Sequence, residues 1–542
     1  MTFGNRIRKG TRLCAALAVA AVVLFQSFVT VNACTAVYVG KKASADGTII
    51  MARCNDIQAV CGNYIKLTER VENAPGRSLP VNSAQTVWAP LPATTYRFTA
   101  TPFMDSSKGV IGFVKDSAIC TNEYGVLMTM SVSAYANEAA ETADPYVETG
   151  LTEDTATDLV VCQSKTAREA VKVLLSLIDE YGSSECNIAM IADQKEAWYV
   201  EMYTGHQYCA VKLPEDMASV FGNEFNLEYR EDYPENISSK ELESLAVKND
   251  FAVYDKNKRL NLFDTYAGVS IRKDSCHQRT WIGHNLLSKD FQADYKFEDT
   301  YPLCFKPDNK VSVNDVMSIM RNRYEGTKYS PDETGAIDSR VIGTDISLSV
   351  HVGQIYPEVP AEMSCVTWLT TGPAIYSVFV PVSNASLSVS KAYGANQPLQ
   401  NAGLFEDTVY PYYTFKEINT LCVERDCYQV YGAPVKEYWG KAEKGMTEGF
   451  AKVLSEAAAM KDQKEAQAAI TDYCNRMQSL AFDDALHILN DVKWSTSQNS
   501  NTIKAAKDPE TGKYLKTEKV LDPIDLSKDA SLDVGKYIYQ SK

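Results

Sequence analysis

Residue 34 is a cysteine that divides two very different stretches of sequence. Upstream, Arg6, Arg8, Lys9 and Arg12 make a basic start with no acidic residue. An uninterrupted apolar run of 13 residues follows, Leu13 to Phe25, and the small residues Val31 and Ala33 stand three and one places before Cys34. That order is the layout of a removable secretory signal. The apolar run is shorter than the roughly 20 residues that cross a bilayer, although an uncleaved anchor is the alternative reading. Downstream, CTAVYVG has the alternating character of a strand, KKASADG ends in the turn signal Asp46-Gly47, and TIIMAR reads as a returning strand. The fold is therefore expected to begin at Cys34, with a hairpin that returns Arg53 and its neighbours to the side of that cysteine.

Removing residues 1–33 takes four positive charges from a chain of formal charge −15 and leaves it at −19. No block of basic residues remains, which argues against nucleic acid as a partner, because phosphate binding needs a concentrated basic surface. No later apolar run is long enough to span a membrane, so no stable span is expected after the signal leaves. Of 14 cysteines, Cys14 leaves with the signal and 13 remain. An odd count in an exported chain points to one unpaired thiol. If that thiol is Cys34, the other twelve are either disulfide partners, with Cys54–Cys61 and Cys422–Cys427 as close pairs, or free buried cysteines.

Further along, strands are expected near Gly109–Val114 and Gly125–Ser133, then one helix over Thr152–Tyr181, capped by Thr152 and Asp154 and ended by Gly182. Three short runs, NIAMIAD, AWYVEMYT and QYCAVKL, read as an antiparallel meander. A helix near Val313–Tyr324 precedes strands at Ile346–Val352, Cys365–Thr370 and Tyr376–Val382. From about Lys436 to Val492 the texture becomes helical, as of a hairpin packed on the main body, and the last fifty residues read as loop or a trailing extension. The expected division is a signal at 1–33, a main domain at 34–435, and a helical region with a polar tail at 436–542. Strands segregated from helices imply α+β architecture with antiparallel sheets.

A cysteine directly behind a cleavage site has three readings. It is merely the first ordered residue, or it is lipid-modified, or cleavage exposes it so that thiol and free α-amine share one residue. Val31 and Ala33 suit a lipoprotein signal, but Asn32 between them does not. The third reading is chemically complete: the thiol is a nucleophile, and an α-amine of pKa about 7.7–8.0 serves as its base near neutral pH. The return strand adds Arg53, a permanent cation that favours thiolate, and Asp56, a carboxylate able to hold the α-amine by a charge-assisted hydrogen bond.

The run CTAVYVGKKASADGTIIMARCND resembles the N-terminal motif of the dipeptidase A family of cysteine peptidases, relatives of the secernins within the N-terminal-nucleophile hydrolases. More distantly it is similar to choloylglycine hydrolases and penicillin V acylases. The resemblance continues through TNEYGV at Thr121, WYVEMYTGHQY at Trp198, RTW at Arg279, RYEGT at Arg323 and VTWLTTGPAIYSVFVPV at Val366. It implies a four-layer αββα sandwich with the nucleophile at the start of a central strand. By the same resemblance Cys34 is the nucleophile, Arg53 the cation beside it and Asp56 the partner of the α-amine. Asn223 in VFGNEF becomes an oxyanion donor, and Arg279 a support of the nucleophile site. The chain departs from the distant acylases about ten residues after TNEYGV. Where they carry a second oxyanion asparagine, MSVSAY places Val132 between Ser131 and Ser133. Asn122 in the TNEYGV motif is read as a turn residue, with a catalytic role as the alternative.

Rival chemistries find little support. His206, His277, His284, His351 and His487 form no zinc-ligand spacing, and the chain has no CxxC, no GxSxG and no phosphate-cradling glycine motif. His277 follows Cys276 directly, an arrangement that on a strand does not present both side chains to one site. His206 in TGHQY is read as structural, with a place in the substrate pocket as the alternative. No metal or organic cofactor is called for. The expectation is an exported cysteine dipeptidase acting on small peptides through a thioester. An N-acyl amidase of the choloylglycine or penicillin acylase type and a lipid-anchored, non-catalytic binding protein stand as alternatives. A homo-oligomer is compatible with the sequence.

Overall fold

A computed structural model describes residues 34–57, 62–104, 119–130, 133–335, 339–395, 410–423, 431–499, 510–511 and 524–541. Two antiparallel sheets face each other. The first has six strands, with β1 (Ala36–Val39), β2 (Ile49–Asp56), β3 (Ala218–Phe221), β4 (Ser347–Ile355), β5 (Cys365–Thr371) and β6 (Val380–Ser383) in the spatial order β3-β1-β2-β4-β5-β6. The second has eight, running Asn236–Ser238, Tyr208–Lys212, Ala197–Met202, Asn187–Ala192, Leu127–Met130, Ile119–Asn122, Phe98–Ala100 and Lys66–Thr68.

Side chains alternate across each strand, and the alternation sorts the core into layers. Ala36, Tyr38, Ile49 and Met51 of the first sheet meet Leu127, Ile188, Met190 and Tyr199 of the second. The opposite set, Val37, Ile50, Ala52, Val350 and Trp368, packs outward against helices. Cys120, Met128, Ile191 and Val200 do the same on the second sheet. The outer layers are α1 (Glu153–Val161) and α2 (Ala167–Tyr181) on the eight-stranded sheet. On the six-stranded sheet they are α3 (Asp274–Leu287), α4 (Val313–Ile319), α5 (Pro411–Val423), α6 (Ala433–Ala458) and α7 (Gln463–Asn499). This is the αββα order that the resemblance implies. Both sheets are covered on both faces, which is why β1 and β2 are buried at every position.

The opening hairpin forms as the turn chemistry dictates. Gly47 takes φ +77°, a conformation costly for other residues. Asp46 Oδ1 accepts from the Thr48 N–H and hydroxyl at 3.2 and 2.6 Å. The 187–192, 197–202 and 208–212 strands form the expected meander.

Several expectations change. The stretch 152–181 is two helices, because Asn122 Nδ2 donates to the carbonyls of Val161 and Ser164, at 2.8 and 2.6 Å, and so takes up the end of α1. Thr166 then caps α2 through the Glu169 N–H at 3.1 Å. Helix α4 stops at Ile319, ahead of Arg321, which turns inward. Arg321 binds Glu443 of α6 through Nη1 at 2.9 Å and the Ala374 carbonyl through Nε at 2.8 Å. This ion pair ties the helical C-terminal hairpin to the main body. Part of the tail is packed rather than trailing: Tyr537 is fully buried and its hydroxyl donates to Asp484 at 2.8 Å. The strand 127–130 pairs with 119–122. The segments 1–33 and 109–114, and Cys61 and Cys427, lie outside the described residues. No disulfide joins two of the described cysteines.

Candidate active site

Cys34 stands two residues before the first residue of β1 and is fully buried. The hairpin register pairs Ala36 with Arg53, and two residues earlier the Arg53 Nη2 lies 3.4 Å from the Cys34 Sγ. The same nitrogen donates to Asn55 Oδ1 at 3.1 Å, which fixes the guanidinium in place. Burial pushes the Cys34 thiol above its ordinary range. The Arg53 charge pulls it down, the Asp56 carboxylate raises it, and a hydrogen bond from the Asp56 backbone favours thiolate.

Asp56 ends β2 with no exposure, and both its oxygens are engaged. Oδ1 accepts from the Ser347 hydroxyl at 2.5 Å. Oδ2 accepts from Arg340 Nη2 at 2.8 Å and from the Cys54 thiol at 2.9 Å. A register shift between Ser347 and Ser349, where β4 meets β2, brings Ser347 opposite Asp56. Cys54 is held protonated, raised well above its ordinary range first by burial and then by the charges of Asp56 and Cys34. Arg340 is itself braced, since its carbonyl accepts from the Tyr324 hydroxyl at 2.8 Å. Tyr324 is buried with φ +60°, a backbone setting that a tyrosine adopts only when its surroundings impose it.

Arg279, on α3, joins the remaining parts. Its Nη1 donates to the Cys34 carbonyl at 2.5 Å and to Thr35 Oγ1 at 2.9 Å. Its Nη2 donates to Asn223 Oδ1 at 2.9 Å. Asn223 Nδ2 is then a buried donor with no partner among the described residues. Asn223 follows β3 through Gly222, where a Cβ would stand 2.5 Å from the Cys276 carbonyl oxygen and 3.3 Å from Arg279 Cζ. Only glycine lets the strand end approach the helix so closely. Glu224 anchors the next position, accepting from Thr280 Oγ1 at 2.7 Å and lying 2.9 Å from His277 Nδ1.

Cys34, Arg53, Asp56, Asn223 and Arg279 thus converge, although they come from three strand ends and a helix. Arg340, Ser347 and Glu224 join them without having been singled out from the sequence. Their types carry no local pattern, and only the fold brings them in. The Cys276–His277 pair sits on α3, not on a strand, and His277 serves Glu224. Asn122 is structural, accepting from the Tyr124 and Val126 N–H groups at 3.0 and 3.1 Å. His206 pairs with Asp144 at 3.0 Å. Of the second oxyanion position, Ser131 and Val132 lie outside the described residues. Among the described residues no group of three or more His, Cys, Asp or Glu is arranged to hold a metal ion.

A buried thiol beside a fixed cation, with an unused amide donor tethered to a neighbouring arginine, is equipped for acyl transfer. Comparison with known proteins by sequence agrees in kind. The "Probable dipeptidase B" of Streptococcus pyogenes serotype M1 is 30% identical over 408 residues, covering 72% of this chain and 78% of that protein. The "Probable dipeptidase B" of Lactococcus lactis subsp. lactis (strain IL1403) is 31% identical over 376 residues, covering 67% and 76%. Among solved structures, a mutant conjugated bile acid hydrolase from Clostridium perfringens aligns over 67% of this chain and 95% of its own, at 12% identity and a TM-score of 0.30. The family model described as "Peptidase family C69" matches residues 33–440. The chain belongs to peptidase family C69.

Proposed function

We propose that the protein is an exported cysteine dipeptidase whose mature form begins at Cys34. The Cys34 α-amine takes the thiol proton, and the thiolate attacks the scissile carbonyl. The oxyanion is held by Asn223 Nδ2. Collapse expels the amine, which leaves with the proton from the α-ammonium, and a thioester to Cys34 remains. Water, deprotonated by the same α-amine, then hydrolyses the thioester and frees the thiol.

One observation carries this reading. Arg279 grips the Cys34 carbonyl and Asn223 Oδ1 together, so the amide donor left over stands beside the nucleophile's own residue. Membership of a cysteine peptidase family and the names of the relatives support a peptide substrate. The signal-like order of residues 1–33 supports export. Among the described residues no helix is long and apolar enough to cross a membrane.

The test combines the N-terminal sequence of the exported protein with dipeptide turnover by wild type and Cys34→Ala. The expected result is an unmodified Cys34 at the N-terminus, turnover by wild type, none by the variant, and a trapped acyl adduct on Cys34. A lipid on Cys34, a retained signal, or undiminished turnover by Cys34→Ala sinks the reading.

A further inference from the structure

Most of the space between the sheets is apolar, but the end that holds Cys34 is not. Ser349 of β4 pairs in register with Asn55 on one side and Thr371 on the other, so the three side chains point to one face. One row inward, His351 pairs with Arg53, whose guanidinium reaches both Asn55 and Cys34 on that face. From the opposite sheet Thr129 Oγ1 comes within 2.9 Å of His351 Nε2. Ser349, Thr371 and His351 are each no more than 1% exposed, and Ser349 Oγ, Thr371 Oγ1 and His351 Nδ1 have no hydrogen-bond partner among the described residues.

Buried polar atoms are nearly always satisfied, and unsatisfied ones require an explanation. Three of them, on the face through which Arg53 reaches Cys34, form a surface made for hydrogen bonds that a ligand must supply. The row lies on the β4–β5 side of Cys34, away from Asn223 on the β3 side, so the two flank the reacting carbonyl. A fatty or steroid acyl chain laid there would leave the hydroxyls and the imidazole nitrogen unpaired, whereas an amino-acid residue with its polar main chain would satisfy them.

We propose that Ser349, Thr371 and His351 receive the polar amino-terminal residue of a short peptide, and that this row turns the site away from apolar acyl chains. The assignment rests on the peptidase reading above. The hydroxyls act as specificity determinants and take no part in the chemistry at Cys34.

The experiment compares a free-amine dipeptide with an N-decanoyl amino acid that has the same leaving residue. The proteins are wild type, Thr371→Val and the Ser349→Ala/Thr371→Val double variant, with Tm recorded for each. Wild type should prefer the dipeptide. In the double variant the KM for the dipeptide should rise and its kcat/KM advantage over the N-decanoyl substrate should fall about tenfold or more, with Thr371→Val intermediate. If the variants fold and turn over dipeptides with unchanged KM and preference, the row is a hydrated structural feature only and the inference fails. If a variant proves unstable, dipeptide binding by Cys34→Ala with and without Thr371→Val, read by calorimetry, decides: equal affinity overturns the inference. Wild type that cleaves the N-decanoyl compound and no dipeptide would overturn the dipeptidase reading itself, a result distinguishable from the other two.

Discussion

Arg279 Nη2 binds Asn223 Oδ1 at 2.9 Å, and this one contact decides which end of the amide is available. An amide left alone presents oxygen or nitrogen equally well. With its oxygen committed to a guanidinium, Asn223 can offer only N–H. Replacing Asn223 by Asp keeps the arginine contact and removes the donor. The expected loss in kcat is about 10²–10³, typical for one oxyanion donor, with KM little changed. Steady-state kinetics on a dipeptide checks it. A variant that loses binding and keeps kcat would place Asn223 in substrate recognition instead.

A second expectation concerns Arg53. Burial raises the Cys34 thiol, and the Arg53 charge is the largest influence acting in the other direction. Arg53→Gln removes that charge, so the thiol pKa should rise further and the thiolate fraction at a fixed neutral pH should fall, about tenfold for every tenfold weakening of the thiol as an acid. The rate of iodoacetamide reaction at Cys34, followed against pH, measures this directly. The profile of the variant should move to higher pH. A profile that stays in place would mean the cation at 3.4 Å does not control the acidity of the Cys34 thiol.

How far the sequence foretells this site depends on separation along the chain. The hairpin joining Cys34 to Arg53 and Asp56 is readable because a turn signal and alternation lie within a few residues of each other. Asn223 and Arg279 come only through resemblance to a family, since no local rule links the end of a strand to an arginine on a later helix. Arg340 and Ser347 are invisible. They reach Asp56 from 284 and 291 residues away, one from a loop and one through a shift of strand register. The break in the 152–181 helix is different in kind. Its signal, Ser and Thr in the Cys162–Thr166 segment, is present, but the helical spacing on either side outweighs it.

The Asp56–Arg340 pair leads to a third expectation. Asp56 is fully buried, and Arg340 Nη2 stands 2.8 Å from it. Taking the arginine away leaves a buried carboxylate whose remaining side-chain partners among the described residues are Ser347 and the Cys54 thiol. Arg340→Met should therefore lower stability by about 3 kcal/mol, near the lower end for breaking a buried pair. Arg340→Met combined with Asp56→Asn should lose less than the two singles together, because the stranded charge is gone. Denaturant unfolding of the four proteins closes the cycle. Additive losses would mean that the pair is not coupled.

The final expectation uses His351, which burial and the neighbouring Arg53 charge hold well below the usual imidazole range. In the fold it stays neutral, while in the unfolded chain it takes up a proton below about pH 6.5. The unfolded state therefore binds more protons on the acid side, and stability falls as pH drops through that region. Between about pH 7.5 and 5.5 this one group should remove about 1.4 kcal/mol. His351→Gln places an amide nitrogen where Nε2 meets Thr129 and cannot take up the proton. Its stability should decline less than that of wild type over the same interval by about that amount. Denaturant unfolding at both pH values compares the two slopes. Equal slopes would mean that His351 is protonated in the folded protein beside Arg53, an arrangement that would also change how the row around Ser349 meets its ligand.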